Sequence, residues 1–381
     1  MASLSPYRTP RQSEVARQRL TGASRRLGTR NPVDYIGGLI DRTFELPVGD
    51  PRYGQNALLP GFLPLEHSFS ETAKESLRLD LEPLGPLASP MTRVHEVSRE
   101  ARKQVSSELG PAALRWFDER SEPYRGTRLS GAARFGAWFG AAFDADGLQE
   151  CKVYYELEPG ALDELPPTLR HVCRVAQSCL PRLVPIFTSV ACGRGHGGQR
   201  VYFYHQGDLR LLDLEPLMNQ IGVGHQLPGL LTTVGLILGG RFILPEGSVV
   251  VALRDTGRGI EMKLEILMPS VPDPPREMHG LIQMHLAQRP DSQRALQRWL
   301  SAMAPEGEAS QAGRAGPAAA ASAGDISVLS VRVTPSTAAR LTLYFRPSGY
   351  EQTSSRSRPA PGAFDGMPGG VPGAFDPYAY P

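Results

Sequence analysis

The chain has 381 residues, an apolar share of 41% and a formal net charge of +2. So small a charge excludes a general affinity for nucleic acid or for an anionic membrane surface, and any basic site must be local. The four cysteines (Cys151, Cys173, Cys179 and Cys192) form no CxxC pair, which argues against a disulfide framework and for buried thiols in a reducing cytoplasm.

In chain order, residues 1–30 carry seven arginines and no apolar h-region. They read as a disordered basic arm without a secretory signal, with room for a short helix over 13–20. One ordered domain is expected over 31–349. Its first hairpin covers 62–83, and a helix over 92–119 follows, with Val94, Val97, Ala101, Val105 and Leu109 near helical spacing and with 114–120 open to a second reading as the other helix of a pair. The second hairpin, 134–159, turns at DADG, a strong turn signal. A helix over 163–179 leads to the third hairpin, 184–205, turning through GRGHGG. Residues 209–238 read as helical segments broken near 222–229. The apolar run 227–245 contains Pro228 and Arg241 and reads as a core helix entering a strand, not as a bilayer span. The fourth hairpin, 248–268, turns at DTGRG; a helix over 275–303 and a fifth hairpin over 326–345 complete the series. The Ala/Gly/Ser stretch 305–324 is expected as a flexible insert and 350–381 as a disordered Gly/Pro/Ser-rich tail.

Side chains at i and i+2 share one face of a strand. In 77–82 leucines hold one parity while Arg78, Asp80 and Glu82 hold the other, and Phe135, Phe139 and Phe143 of the second hairpin are expected on a single face opposite Trp138. A sheet with one strongly apolar face packs that face on helices. The polar faces of ten antiparallel strands then point inward. The fold class is therefore α+β: a ten-stranded antiparallel β-barrel of five repeated hairpin/helix units, helices outside. Four of the strands place a cation inward, at Arg78, Lys152, Arg200 and Lys263. Tyr154 and Tyr202 follow two residues after Lys152 and Arg200. Cations beside phenols around a closed lumen suit a multiply charged anion.

Five segments in order, PLEHSF, LRLDLEPLG, KVYYELEP, RVYFYH and LYFRPSGYE, resemble the ABBA-barrel (PT-barrel) aromatic prenyltransferases of the dimethylallyltryptophan synthase type, in their bacterial indole branch. The resemblance covers about residues 60–350. It implies an enzyme of secondary metabolism, such as alkaloid biosynthesis. The reaction moves a dimethylallyl group from dimethylallyl diphosphate to an indole: tryptophan, or a tryptophan-containing peptide or alkaloid. It implies no cofactor and no metal, with side-chain cations in the metal's place, and a cytoplasmic monomer or homodimer with neither nucleic acid nor membrane as partner. Carried onto this sequence, Glu66 matches the acidic residue that holds the indole N–H. Arg78, Lys152, Arg200 and Lys263 match diphosphate ligands. Tyr154, Tyr202, Tyr344 and Tyr350 match the tyrosines that shield the allylic cation. Trp138 is expected by parity in the acceptor pocket. The chain departs from the pattern at Glu265, at Thr342 and at His67, which leaves acceptor and regiochemistry more open than the donor. A phenolic acceptor and a noncatalytic barrel binding an aromatic or phosphorylated ligand are the other readings.

Overall fold

The computed structural model describes residues 10–126, 129, 133–158, 160–305, 324–348 and 350. Strands β1 (Leu65–Ser70), β2 (Leu77–Leu81), β3 (Ala137–Asp144), β4 (Gly147–Glu156), β5 (Leu183–Gly193) and β6 (His196–His205) belong to one barrel. Two-residue strands β7 (Leu209–Arg210) and β8 (Ile243–Leu244) pair only with each other. The barrel continues with β9 (Val249–Asp255), β10 (Ile260–Leu267), β11 (Gly324–Thr334) and β12 (Thr337–Pro347). All ten barrel strands are antiparallel to their neighbours, and the sheet closes where β1 pairs with both β12 and β2. The tight turns arise where expected. At DADG the Asp144 carboxylate accepts from the Asp146 amide at 2.9 Å, and Gly147 adopts φ 121°, a conformation open to glycine.

The apolar parity of every strand faces outward onto helices. Phe69, Leu79, Phe139, Phe143, Val153, Val201, Phe203, Leu253, Leu264 and Phe345 are buried there. The helices are α1 (Gln12–Leu27), α2 (Pro32–Thr43), α3 (Pro90–Gln104), α4 (Pro111–Gly126), α5 (Pro167–Cys179), α6 (Glu215–Gln220), α7 (Leu227–Ile237), α8 (Met278–Leu286) and α9 (Pro290–Met303). Trp299 of α9 lies 4.9 Å from Phe345 and 6.3 Å from Phe69, ring centre to ring centre. The Tyr155 hydroxyl reaches Ser98 of α3 at 2.9 Å. No helix among the described residues is long and apolar enough to cross a membrane.

Three expectations are corrected. Residues 12–27 of the supposed arm are helix α1, docked on the domain. Ala16, Leu20 and Ala23 form a thin apolar stripe, buried against the rest, and Arg26 donates to Ala302 O at 2.8 Å and Ala304 O at 3.0 Å. A cation at the open carbonyls of a helix C-terminus is favourable. The arginines that suggested a solvated segment are what tie it down. The single helix over 92–119 is two, because Gly110 turns left-handed (φ 86°) ahead of Pro111. The helix over 275–303 also breaks, since Pro290 lacks the N–H needed to continue α8. Most of the insert over 305–324 and of the tail over 350–381 lies outside the described residues; Gly324 begins β11 and Tyr350 is buried.

Candidate active site

The inward parity of the barrel carries a charged layer and an aromatic layer. In the charged layer Arg78, Lys152, Arg200 and Lys263, from β2, β4, β6 and β10, all face the lumen, as the alternation required. Each meets a carboxylate. Glu150 Oε1 lies 3.2 Å from Arg78 Nη2 and 3.6 Å from Lys152 Nζ. Glu261 pairs with Arg200 and lies 3.2 Å from Arg332 Nη1; Glu265 lies 2.9 Å from Lys263 Nζ. Burial alone would raise the Glu150 pKa, but Lys152, then Arg78, Arg200 and Arg254, outweigh it and draw it to about 2. Glu261 is likewise lowered against the cost of burial, by Arg200 and Arg332. Arg254 of β9 and Arg332 of β11 were missed in the sequence. The cations found in the sequence all lie on strands that close a hairpin, whereas β9 and β11 open theirs; inward parity applied to every strand would have found both.

Phenols join this layer to the next. Lys152 Nζ donates to the Tyr154 hydroxyl at 3.1 Å, and Lys263 Nζ to that of Tyr344 at 3.2 Å. Both ammonium groups also stand over those rings, 5.0 and 5.5 Å from the centroids. Tyr154 and Tyr344 line a cavity of about 420 Å³, with Tyr202, Phe187, Trp138, Asp80, Glu265 and Glu66 around it. The Tyr202 ring stacks on Phe187 at 4.3 Å. Trp138 is held from behind, its Nε1 donating to Glu82 at 3.1 Å and its ring stacked on Phe135 at 3.9 Å. Phe135 is therefore not on the face of Phe139 and Phe143. Gly136 (φ 72°) resets the alternation just before β3, and a Cβ there would fall 2.1 Å from Pro90 O.

Glu66 opens on the cavity directly across from Asp80 in the β1–β2 register, and Ser327 donates to it. Burial raises its pKa to about 8; the Ser327 hydrogen bond opposes this, and Asp80 and Glu265 add to it. The protein by itself thus holds Glu66 protonated at neutral pH. His67, on the other parity, packs outside the wall.

Tyr350 is placed differently from expectation. It lies outside the barrel, its hydroxyl 2.8 Å from His67 Nε2, with Arg19 of α1 over its ring at 5.6 Å. The reason is that β12 ends at Pro347, so strand parity no longer governs residue 350. Replacing Tyr350 by phenylalanine is expected to cost about 1–2 kcal/mol of stability through the stranded imidazole and to leave turnover unchanged, checked by denaturant midpoint and product formation. Among the described residues no group of three or more His, Cys, Asp or Glu side chains could hold a metal ion.

No family model matches the sequence, and no curated protein sequence does. Solved structures do match. A 6-dimethylallyltryptophan synthase from Micromonospora olivasterospora, in complex with DMASPP and Trp, is 16% identical, with 88% of this chain and 97% of that one covered at a TM-score of 0.65. A 5-dimethylallyl tryptophan synthase from Streptomyces coelicolor, also with DMASPP and Trp, is 15% identical, with 93% and 99% covered at 0.65. AnaPT from Neosartorya fischeri is 17% identical, with 78% and 81% covered at 0.54. The chain therefore has the ABBA, or PT-barrel, fold of these prenyltransferases.

Proposed function

We propose that the protein transfers a dimethylallyl group from dimethylallyl diphosphate to an indole, tryptophan or a tryptophan-containing peptide or alkaloid. The observation that carries this reading is the convergence of Arg78, Lys152, Arg200 and Lys263 on one lumen, joined through the Tyr154 and Tyr344 hydroxyls to an aromatic cavity containing Glu66. The complexes of two structural neighbours with DMASPP and Trp support the same donor and acceptor classes.

In this reading the allylic C–O bond breaks and its electron pair leaves with the diphosphate. Preorganised cations stabilise that charge as it develops. The allylic cation is screened from water by the faces of Tyr154, Tyr202 and Tyr344. A ring carbon of the indole supplies the electron pair for the new C–C bond, and the ring then passes the proton at that carbon to the released diphosphate. Glu66, ionised once the acceptor is seated, accepts the indole N–H and so makes the ring more nucleophilic. Because side-chain cations hold the diphosphate, no metal is required. Incubation with dimethylallyl diphosphate and a panel of indoles and phenols in excess chelator is expected to add one C5H8 unit to an indole, read by mass spectrometry. Donor binding without product from any acceptor would favour a noncatalytic barrel; product only with phenols would move the acceptor class.

A further inference from the structure

Arg254 differs from the five lumen cations that are paired with carboxylates. Arg254 sits opposite Arg200 in the β6–β9 register and opposite Glu261 in the β9–β10 register, so it shares their inward face. Arg78, Lys152, Arg200, Lys263 and Arg332 each have a carboxylate within ion-pair distance. The Arg254 side chain makes neither a hydrogen bond nor an ion pair among the described residues, and its Nε is buried with no acceptor. Two arginines directly across a strand pair repel each other unless an anion lies between them.

The space its guanidinium occupies is left by a glycine. Gly198 of β6 lies on the inward parity, two residues from Arg200. A Cβ there would stand 2.6 Å from Arg254 Nε and 2.7 Å from both Cζ and Nη2. Along β6 the order is Tyr202 at the cavity, then Arg200, then Gly198. The Arg254 guanidinium is thus laid over the lumen wall farther from the cavity than Arg200. A planar fork with open donors suits phosphate oxygens, which accept two parallel N–H bonds.

We propose that Arg254 is a further diphosphate ligand, holding the terminal phosphate of the donor, and that Gly198 is the residue that lets it lie there. This rests on the reading of the barrel as an allylic-diphosphate enzyme. The allyl group then points toward Tyr202 and the cavity, and the terminal phosphate toward Arg254.

The test uses the full chain and inorganic diphosphate as the probe, titrated calorimetrically, with inorganic phosphate alongside. Arg254→Ala is expected to weaken diphosphate binding by about tenfold or more, as loss of a charge-assisted contact does, with phosphate much less affected. Gly198→Ala keeps the charge but displaces the guanidinium, and is expected to weaken diphosphate in the same direction. Arg254→Lys should fall between the parent and Arg254→Ala. Arg254 is only partly buried and its side chain has no hydrogen bond or ion pair to lose, so melting temperatures should fall little. Diphosphate binding by Arg254→Ala within about twofold of the parent, well short of a lost hydrogen bond, would overturn the assignment while leaving the transferase reading intact. A parent protein that binds no diphosphate at all would overturn the transferase reading, and the assignment with it.

Discussion

Replacing Glu66 by glutamine is expected to lower prenyl transfer by about two to four orders of magnitude, the usual worth of a positioned proton acceptor, while making the protein more stable. The two effects share one cause. Glu66 is buried beside Asp80 and Glu265, and its pKa stands near 8. In the unfolded chain it titrates near the ordinary glutamate value. Between these values the folded state holds a proton that the unfolded state has released. Stability contributed by this group is full below the unfolded pKa, and it is lost as pH rises toward the folded pKa. At pH 7 the loss amounts to as much as about 3 kcal/mol. Glutamine, which has no proton to lose, escapes it. Chemical denaturation of parent and variant should therefore give similar midpoints at pH 4–5 and a gap favouring glutamine that widens toward pH 8. Activity should show the same ionisation from the other side: kcat/KM for the acceptor rises from pH 6 through about 8 in the parent. Normal turnover by Glu66→Gln would remove the residue from the mechanism. A stability gap that does not grow with pH would show that the carboxyl is already ionised before any substrate binds.

Much of the barrel was legible because strand alternation is a strict period. Leu77, Leu79 and Leu81 on one parity and Arg78 and Asp80 on the other allow one sidedness, and a one-residue slip would bury every charge against the helices. The four inward cations and Trp138 followed directly. What parity could not reach lay where the period stops or where partners come from other strands. Gly136 resets the alternation and turns Phe135 inward. Tyr350 follows the end of β12, so its resemblance to a lumen tyrosine had no geometric support. Helix α1 looked solvated because its burial rests on two alanines and a leucine, and its arginines bond to backbone carbonyls that no sequence pattern displays. Glu150 meets Arg78 across β3, and Glu261 meets Arg200 across β9, two strands away in each case, so these pairs depend on strand order and register, which are long-range properties. Glu265 was recognised as a departure, and its pairing with Lys263 within the same strand is what makes a carboxylate tolerable there.

Those carboxylates lead to the second large effect. In the lumen Glu150 stands between Arg78 and Lys152 and compensates both. Changing Glu150 to glutamine leaves two nearby cations without their anion, at a cost of about 2–3 kcal/mol for a pair that keeps some contact with water. The native contribution is present above the ordinary glutamate pKa and lost only as pH falls through about 2, so the variant should be weaker across the whole neutral range. A diphosphate replaces the missing charge. Its oxygens no longer compete with Glu150 for Arg78 and Lys152, so inorganic diphosphate should bind the variant more tightly than the parent. Ligand-linked stabilisation grows with the ratio of free ligand to Kd. Diphosphate should therefore raise the melting temperature of Glu150→Gln by more than it raises the parent's, closing much of the gap between them. The opposite result, a variant that binds diphosphate more weakly than the parent, would mean that Glu150 orients the cations for the donor instead of standing in for it.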